Sequence, residues 1–271
     1  MGDGIQTLKS QFEADGYYAP LRLIDTEKAL SYRQSFEAIE RNTGSLHYRF
    51  KIHTALSMVY ELAINKTLLD SVESLLGPNI LLYNATFIIK EPHSDAHVSW
   101  HQDLTYWGFN DDKQVSAWIA ISDATDENGC MHMVPGSHSN GQLAHIITED
   151  SDNVLHLGQK VEGISDDQSC CVPLKAGETS LHHGWTLHTS HSNRSNERRI
   201  GLNFNYISTD MFQTQTEEDS AKLVRGIDNY NHFKIDTPAT VEFDTSVWKN
   251  LNKCNELIRQ TYNKMGKINQ A

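Results

Sequence analysis

The pattern of apolar and polar positions divides the chain into three textures. Up to about residue 78, apolar residues recur at helical spacing. "IQTLKSQFEADGYY" predicts a helix that stops near Gly16. "TEKALSYRQSFEAIERN" predicts a second, capped at Thr26 and running to Asn42. "HTALSMVYELAINKTLLDSVESLLGP" predicts helix up to Gly77-Pro78, a common helix stop. From about 79 to 210 the texture changes to short runs rich in β-formers. These are "NILLYNATFIIKE", "HVSWHQD", "VSAWIAIS", "CMHMVP", "CCVPLKAGETSLHH" and "RIGLNFNYIS", separated by Gly, Asn, Asp and Pro. Residues 139–165 are polar and loop-like, and from about 211 to 271 the chain reads as helical again, ending in "TSVWKNLNKCNELIRQTYNKM". There is no internal repeat. Helices flanking many short strands predict a mainly β fold with flanking α. The expectation is one domain over 1–271, with a double-stranded β-helix core of jelly-roll or cupin type.

A chain of 271 residues suits one sizeable core. No apolar run approaches the ~20 residues of a membrane helix. The N-terminus lacks the basic start and apolar core of a signal peptide. A net charge of −12 repels phosphate backbones and excludes nucleic acid as a natural partner. It also weighs against a polyanionic substrate such as a coenzyme A thioester. The four cysteines, Cys130, Cys170, Cys171 and Cys254, show no CxxC spacing. The expectation is a reduced, cytoplasmic protein, a compartment that suits iron(II).

Histidine is abundant, at 14 residues. With 35 acidic residues, about two histidines should precede an acid by two places by chance, and two do. His93 and Asp95 sit in turn-like composition beside Pro92. His101 and Asp103 end the strand candidate "HVSWHQD", where alternation points both side chains to one face. An imidazole and a carboxylate on one face are two-thirds of the facial triad that binds non-haem iron(II). The third ligand should be a distant histidine on a facing strand. His182, His183, His188 and His191 all qualify, and composition does not choose among them.

Three blocks in order, "WHQDLTYW", "WIAISDATDENGCMHMVPGSH" and "LHHGWTLHTSHSNRSNERRIGL", resemble the phytanoyl-CoA dioxygenase superfamily of iron(II)/2-oxoglutarate oxygenases. The resemblance runs from about Asp15 to Ile207. It implies that His188 completes the triad, because Ser190, Asn193 and Ser195 follow it in the family's pattern. It implies that Arg199, eleven residues later, holds the far carboxylate of 2-oxoglutarate, with Arg198 as the competitor. A planar, permanently charged fork suits that task. Gln102, Ser190 and Trp118 match cosubstrate contacts. Tyr106, Trp107 and Phe109 match a segment that covers substrate, and Asn203 shares the strand face of Arg199. For Trp118, Asn203 and the aromatic trio an ordinary core or structural role is an equal reading. His132 and His138 read as structural.

The local wording is nearest to the branch containing amino-acid halogenases, which replace the iron carboxylate with a small residue. Asp103 is retained here, so the resemblance implies oxygen chemistry. The cofactors would be Fe(II), 2-oxoglutarate and O2, with succinate and CO2 released. The reaction would oxidise a C–H bond of a small polar metabolite by hydroxylation, with dealkylation, desaturation or ring formation as variants. The expected substrate is an amino-acid-derived or mycosporine-like compound, and the expected assembly a monomer or homodimer. Two alternatives stay open: a cupin-like metal enzyme that does not use 2-oxoglutarate, and a non-catalytic binding protein of the same fold.

Overall fold

The computed structural model describes residues 2–242 and 247–269. Helices α1 (Gly2–Asp15), α2 (Thr26–Thr43), α3 (Ser57–Ala63) and α4 (Lys66–Leu76) fill the N-terminal part. They are interrupted by an unexpected edge strand, β1 (Tyr17–Arg22). The cap of α2 is Asp25, one residue before Thr26; its carboxylate accepts from the Lys28 amide at 2.7 Å. The long helix expected over 53–78 is divided. Asn65 caps α4 through its side chain, and only a 3-10 turn forms over Ile52–Thr54. Gly77 does end α4, at φ 85°.

Strands β2 (Ile80–Lys90), β3 (Val98–His101), β4 (Gln114–Ala120), β5 (Met131–Met133), β6 (Cys170–Val172), β7 (Glu178–His183), β8 (His188–Ser190) and β9 (Arg199–Ser208) follow. Two more strands, β10 (Ser220–Arg225) and β11 (Lys234–Ile235), lie where helix was expected. Helix α5 (Val247–Asn269) closes the described chain; Thr245 and Ser246 of its predicted start lie outside the described residues. A seven-stranded sheet has the order β1-β7-β4-β9-β2-β10-β11, and a four-stranded sheet the order β3-β8-β5-β6. All pairings are antiparallel except β10 with β11. This is the mainly β, double-stranded β-helix architecture with flanking helices. No helix among the described residues is long and apolar enough to cross a membrane.

Alternation assigns the two faces of the large sheet. Ile200, Leu202, Phe204 and Tyr206 of β9 join Phe87 and Ile89 of β2 in the core under the helices, where Phe36 meets Phe87 at 4.3 Å. The residues between them face inward, toward the smaller sheet. That inner face is polar along β2 and β9, with Asn84, Thr86, Asn203 and Asn205 lining a cavity. A β-sandwich interior normally excludes such groups, because an unpaired buried amide costs about 1–3 kcal/mol.

Candidate active site

His101 and His188 are direct cross-strand partners on β3 and β8, with ring centroids 4.1 Å apart. His101 Nδ1 faces the Ser99 carbonyl at 2.9 Å, and His188 Nδ1 faces the Thr186 carbonyl at 2.9 Å. Each Nδ1 meets a carbonyl acceptor, so it carries the proton and leaves the Nε2 lone pair free for a cation. Asp103 reaches the same point differently from the strand alternation expected. β3 ends at His101, and Asp103 opens a 3-10 turn, Asp103–Tyr106. Its Oδ1 lies 3.5 Å from His101 Nε2 and 3.9 Å from His188 Nε2. The three ligand atoms lie within 4.8 Å of one another.

Asp103 Oδ2 accepts from the Ser116 hydroxyl at 2.6 Å and from His182 Nε2 at 3.3 Å. Burial alone would push this carboxyl up. Its contacts with the His101, His182 and His188 imidazoles hold it well below the usual carboxylate range. His182, open in the sequence as a ligand, instead orients one. Its ring packs 4.7 Å from that of His188. His183 contacts His138 at 5.6 Å, and His191 contacts His132 at 4.9 Å; both lie outside the triad.

Beyond the triad the same cavity is lined by Trp118, Ser190, Arg199 and Asn203. Arg199 is 1% exposed and donates through one Nη1 to the Gly129 carbonyl at 2.8 Å. Its Nε and second Nη have no partner. Its guanidinium lies 5.2 Å from the Trp118 ring. Arg198 points the opposite way and pairs with Glu40 and Glu91. Gly129 follows Asn128 in a turn at φ 78°, where a side chain would be strained and a Cβ would strike the His191 carbonyl. Gly201 admits Trp118 against the backbone, since a Cβ there would lie 1.9 Å from the indole.

Lys90 escaped the sequence reading. It is 1% exposed and stands directly opposite Arg199 in the β2–β9 register. Its ammonium donates to the carbonyl and hydroxyl of Ser190 and to the His191 carbonyl. Neither Lys90 nor Arg199 has a carboxylate within ion-pair distance among the described residues. Burial pulls Lys90 down to about 6, with Arg199 adding to the effect, and pulls Arg199 down to about 10. Like charges directly opposite are destabilising. Arg199, with two nitrogens unpartnered beside the buried Lys90, fits an anionic ligand with a carboxylate end. The signal in the sequence was a lysine directly after the apolar run Phe87-Ile88-Ile89.

The remaining expected residues divide. Trp107 lines the cavity, whereas Tyr106 and Phe109 sit in the aromatic core beside it. Gln102 is fully buried and spent on backbone: its amide donates to the Gly141 and Trp185 carbonyls, and its oxygen accepts from the Leu143 amide. That places it in the wall behind the triad instead of in the cavity. Sequence reasoning also missed Tyr48, Leu155, Gln159 and Tyr262, which form the cavity's other end.

The phytanoyl-CoA dioxygenase (PhyH) family model matches residues 12–201. A probable alpha-ketoglutarate-dependent hypophosphite dioxygenase of Stutzerimonas stutzeri is 25% identical over 202 residues, covering 72% of this chain and 70% of that protein. The phytanoyl-CoA dioxygenase of Arabidopsis thaliana is 28% identical over 130 residues, covering 48% of this chain and 45% of that one, under half its length. Among solved structures, the apo form of the non-heme monooxygenase ThoJ superposes with a TM-score of 0.84 at 26% identity, over 96% of this chain and 99% of that one. With the family match spanning well over half of its length, the chain belongs to the phytanoyl-CoA dioxygenase family of non-haem iron(II)/2-oxoglutarate dioxygenases.

Proposed function

We propose that this protein oxidises a C–H bond of a small polar organic molecule, by hydroxylation and not by halogenation. One observation carries the reading: a histidine-carboxylate-histidine cluster opens into the same cavity as a buried arginine with two unpaired nitrogens. His101, Asp103 and His188 would hold iron(II). Arg199, backed by Lys90 and Ser190, would hold the far carboxylate of 2-oxoglutarate, with Trp118 packed alongside. Bound together, the metal and cosubstrate supply oxygen activation, with succinate and CO2 released.

The protein's own residues do the positioning. Ser116 and His182 fix Asp103 Oδ2, so that Oδ1 faces the two imidazoles. A carboxylate at this position fills the place that a halide needs, which favours oxygen transfer. At the other end, Tyr48, Trp107 and Tyr262 provide an aromatic wall that excludes water and fits an organic molecule better than an inorganic oxoanion such as hypophosphite. The side-chain oxygens of Gln159 and Asn203 line the cavity without a partner, which favours a substrate carrying hydroxyl or amine donors. An amino-acid-derived or mycosporine-like compound meets both requirements.

The test needs no substrate. Iron(II) and 2-oxoglutarate, added without oxygen to metal-free protein, should produce the weak visible charge-transfer band of the chelate, and His188→Ala should lose it. A folded, iron-binding protein without the band would overturn the cosubstrate assignment and favour a metal enzyme independent of 2-oxoglutarate.

A further inference from the structure

A second cluster of ligand-type side chains stands apart from the triad. Asp126, Cys130, His132 and Cys171 each offer an atom within 4.8 Å of the others. The strand register explains the convergence. His132 on β5 lies directly opposite Cys171 on β6. Cys130, just before β5, is buried in the same cluster as Met131 and Met133, and its sulfur still reaches that of Cys171. The turn that precedes β5 brings Asp126 back over them, closed by the Cys130 amide on the Thr125 carbonyl at 2.8 Å. The two sulfurs are 3.2 Å apart and not bonded. His132 Nε2 lies 3.0 Å from Asp126 Oδ1.

We propose that these four residues form a binding site for a thiophilic divalent cation of the zinc type, separate from the iron centre. Two thiolates, one imidazole and one carboxylate are a donor set that such an ion takes in tetrahedral geometry. Ligand distances of about 2.0–2.3 Å put tetrahedral donors about 3.3–3.8 Å apart, so small side-chain rotations suffice. Cys130 is buried and the other three side chains reach the surface, so the ion has both an anchor and an entry path. A disulfide between Cys130 and Cys171 would use the sulfurs alone and leave the imidazole-carboxylate pair aimed at them without a purpose. The site also has a mechanical consequence. It clamps the turn whose Gly129 carbonyl accepts from both Arg199 and Ser190. A cation there would stiffen one wall of the cosubstrate pocket.

Cobalt(II) is the probe, added to reduced, metal-free full-length protein without oxygen. The expected result is a thiolate-to-cobalt charge-transfer absorption with the strong visible bands of tetrahedral cobalt, removed by competing zinc. The triad contains no sulfur, so a His101→Ala/His188→Ala variant should keep the signal. Cys171→Ser, at an exposed strand position, and Asp126→Asn, in the turn, should lose or weaken it while thermal unfolding stays near that of the parent. Absence of the band with both thiols reduced would overturn the proposal. So would a native disulfide between Cys130 and Cys171, or a band undiminished in Cys171→Ser.

Discussion

The two ends of the cavity are built differently. The end that holds the triad, Arg199, Ser190 and Trp118 comes almost wholly from strands β3, β4, β8 and β9. The other end is assembled from the chain before β2 (Tyr48), the 3-10 turn after β3 (Trp107), the long loop between β5 and β6 (Leu155, Gln159) and helix α5 (Tyr262). At the first end, register fixes which side chains meet. His101 is opposite His188 and Lys90 is opposite Arg199. At the second end, side chains meet only because irregular segments happen to be packed together. On the proposed roles, strand register positions the metal and cosubstrate groups, while loop and helix segments, which tolerate change more readily, shape the wall toward the substrate.

Removing the cation at the strand-built end should have the largest effect. Arg199→Met should raise the KM for 2-oxoglutarate by roughly 30- to 4,000-fold, about 2–5 kcal/mol for a lost buried charge pair. Arg198→Met, on the outer face, should change it by less than about threefold. Equal effects would show that the two strand faces are not distinguished.

A second prediction tests where the loop reaches into the strand-built end. His145 donates from Nδ1 to the Leu143 carbonyl and accepts at Nε2 from the Gln102 amide, between the two ligands of the iron motif. That requires a neutral ring, and burial pulls its pKa down to about 4 from 6.5. The unfolded chain then binds more protons between these values. The stability held by the neutral ring is complete above about pH 6.5 and is lost as pH falls through about 4, by up to about 3 kcal/mol. Unfolding free energies measured across that window should fall less steeply for His145→Gln than for the parent. Parallel curves would detach His145 from the site.

The smallest effect belongs to the variable end. Tyr262 packs on Phe50 and His156 with ring centroids 5.9 Å away in each case. Tyr262→Ala should raise the substrate KM roughly two- to tenfold, about 0.5–1.5 kcal/mol, and leave the KM for 2-oxoglutarate unchanged. A matching shift in both constants would merge the two ends into one functional unit.

This division also explains what the sequence made legible. The regular strands announced themselves through β-formers and alternation, and alternation correctly set Arg199 against Arg198. The edge strand β1 was hidden because Pro20 and a half-exposed burial pattern mimic loop, both being tolerated at a sheet edge. Strand β10, between β2 and the two-residue β11, was hidden because its pairing with β2 is long-range. Asp103 was placed by a turn that periodicity does not encode. Tyr48, Leu155, Gln159 and Tyr262 lie far apart in sequence and share no local pattern. Lys90 was not legible because a lysine at a strand end is ordinarily solvated, and the oxygens that accept its hydrogen bonds come from about a hundred residues further along the chain.

The pairing of His101 with His188 has a consequence for how the molecule matures. A slip of one residue between β3 and β8 would turn one imidazole away from the other and dissolve the triad. With His101, Asp103 and His188 as the proposed ligands, only the correct register would capture iron, and each binding event would withdraw correctly assembled chains from the pool of misaligned ones. Iron loading would then act as an inspection step, passing finished molecules and leaving faulty ones empty.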